Sequence, residues 1–252
     1  MLVSSIPQDF IGGVIYILQN NYKLYIEGAS FTLIIAISGT ILGLFLALVI
    51  IVFRIQEKDS RDNKINIIMK RISVLLSSSY VEFFRGTPMM VQAAIFYYGL
   101  AMAGVRIPII LAGIIVVTLN TAAYLTEVLR AGINAIDKGQ MEAARSIGLS
   151  RGQAFIHVIF PQVIKNMVPA IGNELVVNIK DTAVLSVIGV SELFYMGKSI
   201  AGTHYRYTES FVLVALIYLI LVLITTRILT IVIQVINREK VSLPKSITGG
   251  LS

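Results

Sequence analysis

QMEAARSIGLSRGQAFIHVIFPQ, residues 140–162, is a polar stretch rich in alanine and glycine, set between two apolar runs. Glu142, Ala143 and Ala144 favour helix, Gly148 breaks or caps it, and helix resumes ahead of Pro161. The pattern predicts a short helix lying beneath a membrane, small on one side and charged on the other. Small residues allow another surface to come close, as they do between packed helices. A rigid exposed helix fixed to two membrane spans would carry force from a partner into the bilayer.

The rest of the chain supplies that bilayer setting. Of 252 residues, 56% are hydrophobic and only 14% charged, well below the quarter or so typical of soluble domains. No cysteine is present, which excludes disulfides, thiol catalysis and cysteine metal sites. A bilayer core of about 30 Å takes roughly 20 apolar residues as helix, because backbone polar groups must be satisfied internally. Five stretches qualify: 30–53, a longer broken segment at 74–104, 107–128, a polar one at 161–189, and 211–236. Residues 1–28 lack the basic start and small-residue cleavage site of a signal peptide. They are expected to form a separate amphipathic interfacial helix, leaving 29–240 as the spanning domain, with 134–157 as its cytoplasmic loop, and 241–252 as a tail.

Charge fixes the expected orientation. Segments 54–72, 129–160 and 237–252 carry 13 Lys or Arg, against four on the other side, Lys23, Arg106, Lys198 and Arg206. The positive-inside tendency then places the N-terminus outside and the C-terminus in the cytoplasm, which needs an odd number of spans. The net charge of +7 reflects this topology, and nucleic-acid binding is not expected.

Three features read as chemistry. Glu174, Asn178 and Asp181 fall on one helical face, and Asn120, Tyr124 and Glu127 share the same spacing. Charge at mid-membrane is costly, so such faces turn toward protein or a wet cavity. Asn120, Tyr124, Glu174, Asn178 and Gln92 are therefore expected to line a substrate path, with the carboxylate taking an ammonium and the amides its other groups. Glu127, Lys180 and Asp181 are expected to pair internally, for instance Glu127 with Arg130. Pro88, in Arg85-Gly86-Thr87-Pro88, removes a helical hydrogen bond and predicts a kink, and Pro169 with Gly172 a second bend. Met196-Gly197-Lys198-Ser199 imitates the end of a phosphate-binding loop, but Glu192 occupies the position of its first glycine. That tetrapeptide is read as an extracytoplasmic turn.

Glu142-Ala143-Ala144, three residues, Gly148, nine residues, then Val158-x-Phe160-Pro161 resembles the EAA loop of ABC importer membrane subunits, with Val158 and Phe160 in place of Ile and Leu. YVEFFRGTPMMVQ (80–92), LNTAAYLTEVLRAGINAIDKGQMEAARSIG (119–148) and PQVIKNMVPAIGNELVVNIKDTAVLSVIG (161–189) resemble the polar amino-acid permeases of that group. The resemblance covers about residues 28–240. It implies an all-α type I importer fold, with Glu142, Ala143, Ala144, Ile147 and Gly148 in a coupling helix. It also implies a docking ATP-binding subunit that holds ATP and Mg, an extracytoplasmic amino-acid-binding protein, and a second permease subunit, identical or related. This chain would then be a transport subunit and not an enzyme, in a bacterial cytoplasmic membrane. Arginine, lysine, histidine or glutamine are the expected substrates, with cystine, glutamate or aspartate as alternatives. An intramembrane enzyme would need a nucleophile and base, or metal ligands, that the sequence does not bring together. An ion-driven secondary transporter usually carries an internal repeat, and none is legible.

Overall fold

A computed structural model describes residues 7, 9–55 and 63–238. Parts of the basic 54–72 loop, the tail beyond 238 and most of the first eight residues lie outside the described set. The described residues form nine α-helices in order: α1 Phe10–Arg54, α2 Lys64–Gly86, α3 Met89–Met102, α4 Ile109–Asn134, α5 Lys138–Ser146, α6 Arg151–Ala154, α7 Phe160–Asp181, α8 Leu193–His204 and α9 Tyr207–Arg238. A π-helical turn, Phe155–Ile159, joins α6 to α7, and a 3-10 turn, Thr182–Ile188, follows α7. Among the described residues, four continuous helical stretches are long and apolar enough to cross a bilayer: α1, α4, the α6-to-3-10 stretch, and α9.

The expected boundary near residue 28 does not occur. Asp9 caps α1 by accepting from the Gly12 amide, and no proline follows before Arg54. All 45 residues are one helix, about 67 Å long at 1.5 Å per residue. Residues 10–28 are apolar on more than one side: Ile17 and Tyr25 are buried with Leu193, Ile200, Leu213 and Val214, while Ile11, Leu18 and Ile26 are exposed. Gly28 is a point of close approach to the Leu193 backbone and not a break.

Helix α1 is the spine. Gly39, Gly43 and Ala47 recur every four residues and let α4 come close, with Val117 facing Gly39 and Thr121 facing Gly43. The numbers on both helices rise together, so α1 and α4 run parallel. Further along, Ala47, Ile51, Leu125 and Leu129 pack with Ile159, Val163 and Met167, which sets α7 antiparallel to both.

The kink expected at Pro88 is a complete break. Thr87 and Pro88 are both extended, and α2 and α3 are separate helices. The ring of Pro88 drives its predecessor out of helical geometry and leaves the last carbonyls of α2 without intrahelical partners. Pro169, in contrast, stays inside the single helix α7. The Met196–Ser199 tetrapeptide is also not a turn. It lies within α8, where a Cβ on Gly197 would meet Val214 of α9 at 2.1 Å.

Candidate functional site

The break between α2 and α3 organises one end of the polar path. Gln92 donates through its amide nitrogen to the Phe84 carbonyl (2.9 Å), the Thr87 carbonyl (2.9 Å) and Thr87 Oγ1 (2.9 Å). Asn120 of α4 donates to the Phe84 carbonyl (3.2 Å) and to Gln92 Oε1 (3.0 Å). Both side chains are buried. These amides therefore satisfy the carbonyls that Pro88 orphans, a role that a mid-membrane amide cannot be read to have from spacing alone. Asn120→Ala is accordingly expected to destabilise the fold by about 1–3 kcal/mol, since it leaves buried acceptors without donors. Thermal melting of the purified chain in detergent measures this, and an unchanged melting temperature would show that the amide does not hold the break.

Asn178, only 2% exposed, donates to Thr40 Oγ1 on α1 and Thr121 Oγ1 on α4, each at 2.9 Å. One amide thus ties three helices at one depth. Glu174 and Tyr124 behave differently. Glu174 is half-buried and makes no hydrogen bond or ion pair with any described residue. Tyr124 is exposed along one side, and the Arg85 guanidinium lies 5.4 Å from its ring centroid. Of the five residues expected on the substrate path, two keep their functional groups free and three are engaged in holding helices together.

Pairing follows the expectation for Glu127, whereas no ion pair is formed by Lys180 or Asp181 at the end of α7 among the described residues. Glu127 accepts from Arg130 Nε at 2.8 Å and also lies 2.9 Å from Arg54 Nη2, joining the end of α1 to α4. Lys180 and Asp181 are exposed, and neither forms an ion pair among the described residues. The Arg54 contact crosses 73 residues of sequence, and nothing in either local pattern announces it.

The segment from Asp137 to Gln153 is capped at every turn. Asp137 accepts from the Gly139 amide at the start of α5. At its end Gly148 takes φ 94°, its amide donating to the Arg145 carbonyl while Leu149 donates to the Ala144 carbonyl. Ser150 and Gln153 then form a reciprocal capping box that starts α6. Ala144 is buried against the bundle, whereas Glu142, Ala143 and Gly148 are exposed and Ile147 is 81% exposed.

A buried carboxylate at the opposite end went unread in the sequence. Glu192 caps α8, accepting from the Phe194 and Tyr195 amides (2.9 and 2.7 Å) and from the Tyr218 hydroxyl of α9 (2.6 Å). Burial pushes its carboxyl above the ordinary carboxylate range, against the lowering effect of those donors. Glutamate is a weak capping signal in sequence, and its tyrosine partner lies 26 residues away.

An apolar helical bundle with a broken span, a polar seam and a rigidly capped external helix is the architecture of an importer's membrane subunit. Residues 68–238 match the family described as binding-protein-dependent transport system inner membrane component, and the chain belongs to it. It is 37% identical over 202 residues to the arginine transport system permease protein ArtQ of Bacillus subtilis (strain 168), covering 80% of this chain and 87% of that one. The probable glutamine ABC transporter permease protein GlnM of the same organism is 33% identical over 205 residues, covering 81% and 89%. A crystal structure of an amino acid ABC transporter with histidines superposes with a TM-score of 0.77 at 36% identity, covering 90% of this chain and 99% of that one. The fold is that of a type I ABC importer permease.

Proposed function

We propose that the chain is the membrane subunit of an ATP-driven importer for a polar amino acid in a bacterial cytoplasmic membrane. Arginine, lysine, histidine and glutamine are the favoured substrates, and the names of the relatives support that class. The observation that carries the mechanism is continuity. From Arg151 to Asp181 the chain is helical without interruption, and the hydrogen-bonded turn at 147–150 links the start of that stretch, which presents Glu174, to the exposed α5 segment. An ATP-binding subunit, holding ATP and Mg, presses on Glu142, Ala143, Ile147 and Gly148. The movement passes through α6 and α7 and reorients a cavity that opens alternately to an extracytoplasmic binding protein and to the cytoplasm. Differential contact with the docking segment in the two states drives the change. Two permease subunits, identical or related, enclose the path, with N-termini outside and C-termini inside.

Reconstitution with the ATP-binding subunit and binding protein tests this. Labelled arginine, lysine, histidine or glutamine is expected to accumulate only with ATP on the cytoplasmic side. Accumulation driven by an ion gradient without ATP would overturn the reading, and uptake of cystine, glutamate or aspartate alone would move the substrate class. In the same vesicles Glu174→Gln keeps shape but removes charge. It is expected to lower apparent affinity for a cationic substrate about five- to thirty-fold, the equivalent of about 1–2 kcal/mol. Basal ATP hydrolysis should persist, and unchanged affinity would remove Glu174 from the substrate path.

A further inference from the structure

A cleft between α7 and α9 lies away from the candidate path. Lys165, Asn166, Val168 and Pro169 of α7, with Ile233 and Ile236 of α9, enclose about 350 Å³ toward the α5 end of the bundle. Nine residues, about two and a half helical turns, separate Lys165 from Glu174, so the two lie on opposite faces of α7. Lys165 is half-buried and forms no ion pair or hydrogen bond among the described residues. Pro169 follows it by four residues and has no N–H to give to the Lys165 carbonyl. The mouth of the cleft therefore offers a cation, the Asn166 amide and a carbonyl without its usual helical donor.

Apolar space continues inward from that mouth. Val168 also lines a neighbouring cleft of about 250 Å³ between α1, α7 and α9. Ile37, Ile41, Leu175 and Leu229 wall it, and Thr40 is its only polar side chain. Packing sets the depth. Val163 shares a core with Ile51, and Arg54 ends α1 three residues later. Lys165 stands two residues the other way along the antiparallel α7, about 7.5 Å deeper than Arg54, within reach of the phosphate level for a lysine stem. A cationic mouth at that depth, opening onto an apolar trough, follows the polarity of a single phospholipid. Basic pockets between spans on the cytoplasmic side take anionic headgroups.

We propose that this seam holds one anionic phospholipid of the cytoplasmic leaflet, its phosphate on Lys165 and Asn166 and one acyl chain in the trough between α1, α7 and α9. A hydroxyl-bearing headgroup, such as that of phosphatidylglycerol, also supplies a donor for the Lys165 carbonyl. The choice of leaflet rests on the reading above that the α5 end is cytoplasmic, whereas the binding chemistry is independent of the substrate. The bound lipid ties α7, the helix that carries Glu174, to α9 on the face away from the path.

Native mass spectrometry of the purified, delipidated permease–ATPase assembly tests it, with phosphatidylglycerol and phosphatidylcholine of matched chains as competing probes. Wild-type protein is expected to bind the first phosphatidylglycerol about fivefold or more tighter, the scale of one lysine against an anionic headgroup. Lys165→Gln should remove that preference while phosphatidylcholine binding and the melting temperature stay unchanged, and short-chained phosphatidylglycerol should bind more weakly than the long-chained form. Lys64→Gln, at an exposed lysine that begins α2, is the control. An equal loss in that control would mean diffuse surface attraction and would overturn the proposal, as would a preference that survives Lys165→Gln. A preference that appears only after deletion of residues 239–252 would give the cleft to the chain's own tail. One present in the isolated permease and lost in the assembly would give it to a partner subunit. Either outcome overturns the lipid assignment. The import reading is judged separately by labelled uptake, so it stands or falls apart from this result.

Discussion

Replacing Ile147 by aspartate is expected to abolish ATP-driven uptake by two orders of magnitude or more, while the permease still inserts and folds. Ile147 is 81% exposed and follows α5 as its C-cap, so the isolated subunit has little to lose. In a docking cleft the same position becomes an unpaired buried carboxylate, which costs several kcal/mol, and about 2.7 kcal/mol already corresponds to a hundredfold. The measurement is uptake beside the melting temperature of the permease alone. Loss of both would make Ile147 a folding residue, and loss of neither would show that the ATP-binding subunit docks elsewhere. Because α5 is capped at both ends, the substituted side chain cannot escape by fraying.

The second large effect is structural. Gly39→Leu should cost about 3 kcal/mol or more and leave little assembled protein. Even a single Cβ at Gly39 would lie 2.4 Å from Val117 Cγ1, so the two helix backbones must separate to admit any side chain. Separation at that level also draws Thr40 and Thr121 away from Asn178, since the three share one set of hydrogen bonds. Ile41→Leu, two residues on and exposed, is the control. Thermal stability measured by size-exclusion chromatography of the detergent-solubilised chain separates them, and equal stability would mean that α1 and α4 are not held at this contact.

The sequence conveyed the architecture well because membrane helices are written in long, uniform stretches. Four of the five apolar runs, the Gly148 stop and the Glu127–Arg130 pairing are local patterns that appear in the structure, whereas the 74–104 run is split into α2 and the short α3. What was hidden depends on contacts distant in the chain. Gln92 and Asn120 looked like free amides because their acceptor, the Phe84 carbonyl, carries no sequence signal. The boundary at residue 28 failed for a related reason. Tyr25 and Ile17 look amphipathic until α8 and α9 supply the surface that covers them. Proline in α2–α3 and in α7 had opposite outcomes, a break and an unbroken helix, because Thr87 turns extended ahead of one while α7 packs on both sides of the other.

The glycine stripe of α1 also sets an order of events during biosynthesis. Val117 and Thr121, the residues that cover Gly39 and Gly43, emerge from the ribosome about eighty residues later. At about 5–20 residues per second this leaves the stripe facing lipid or the insertion machinery for roughly 4–16 s. During that interval a second small-residue helix, including one from another nascent copy, competes for the same face. The break between α2 and α3 falls inside this window, so its carbonyls also wait for Asn120 to arrive with α4. One helix thus closes two unfinished surfaces at once, and translation through residues 109–121 is the step that commits the bundle to its final pairing.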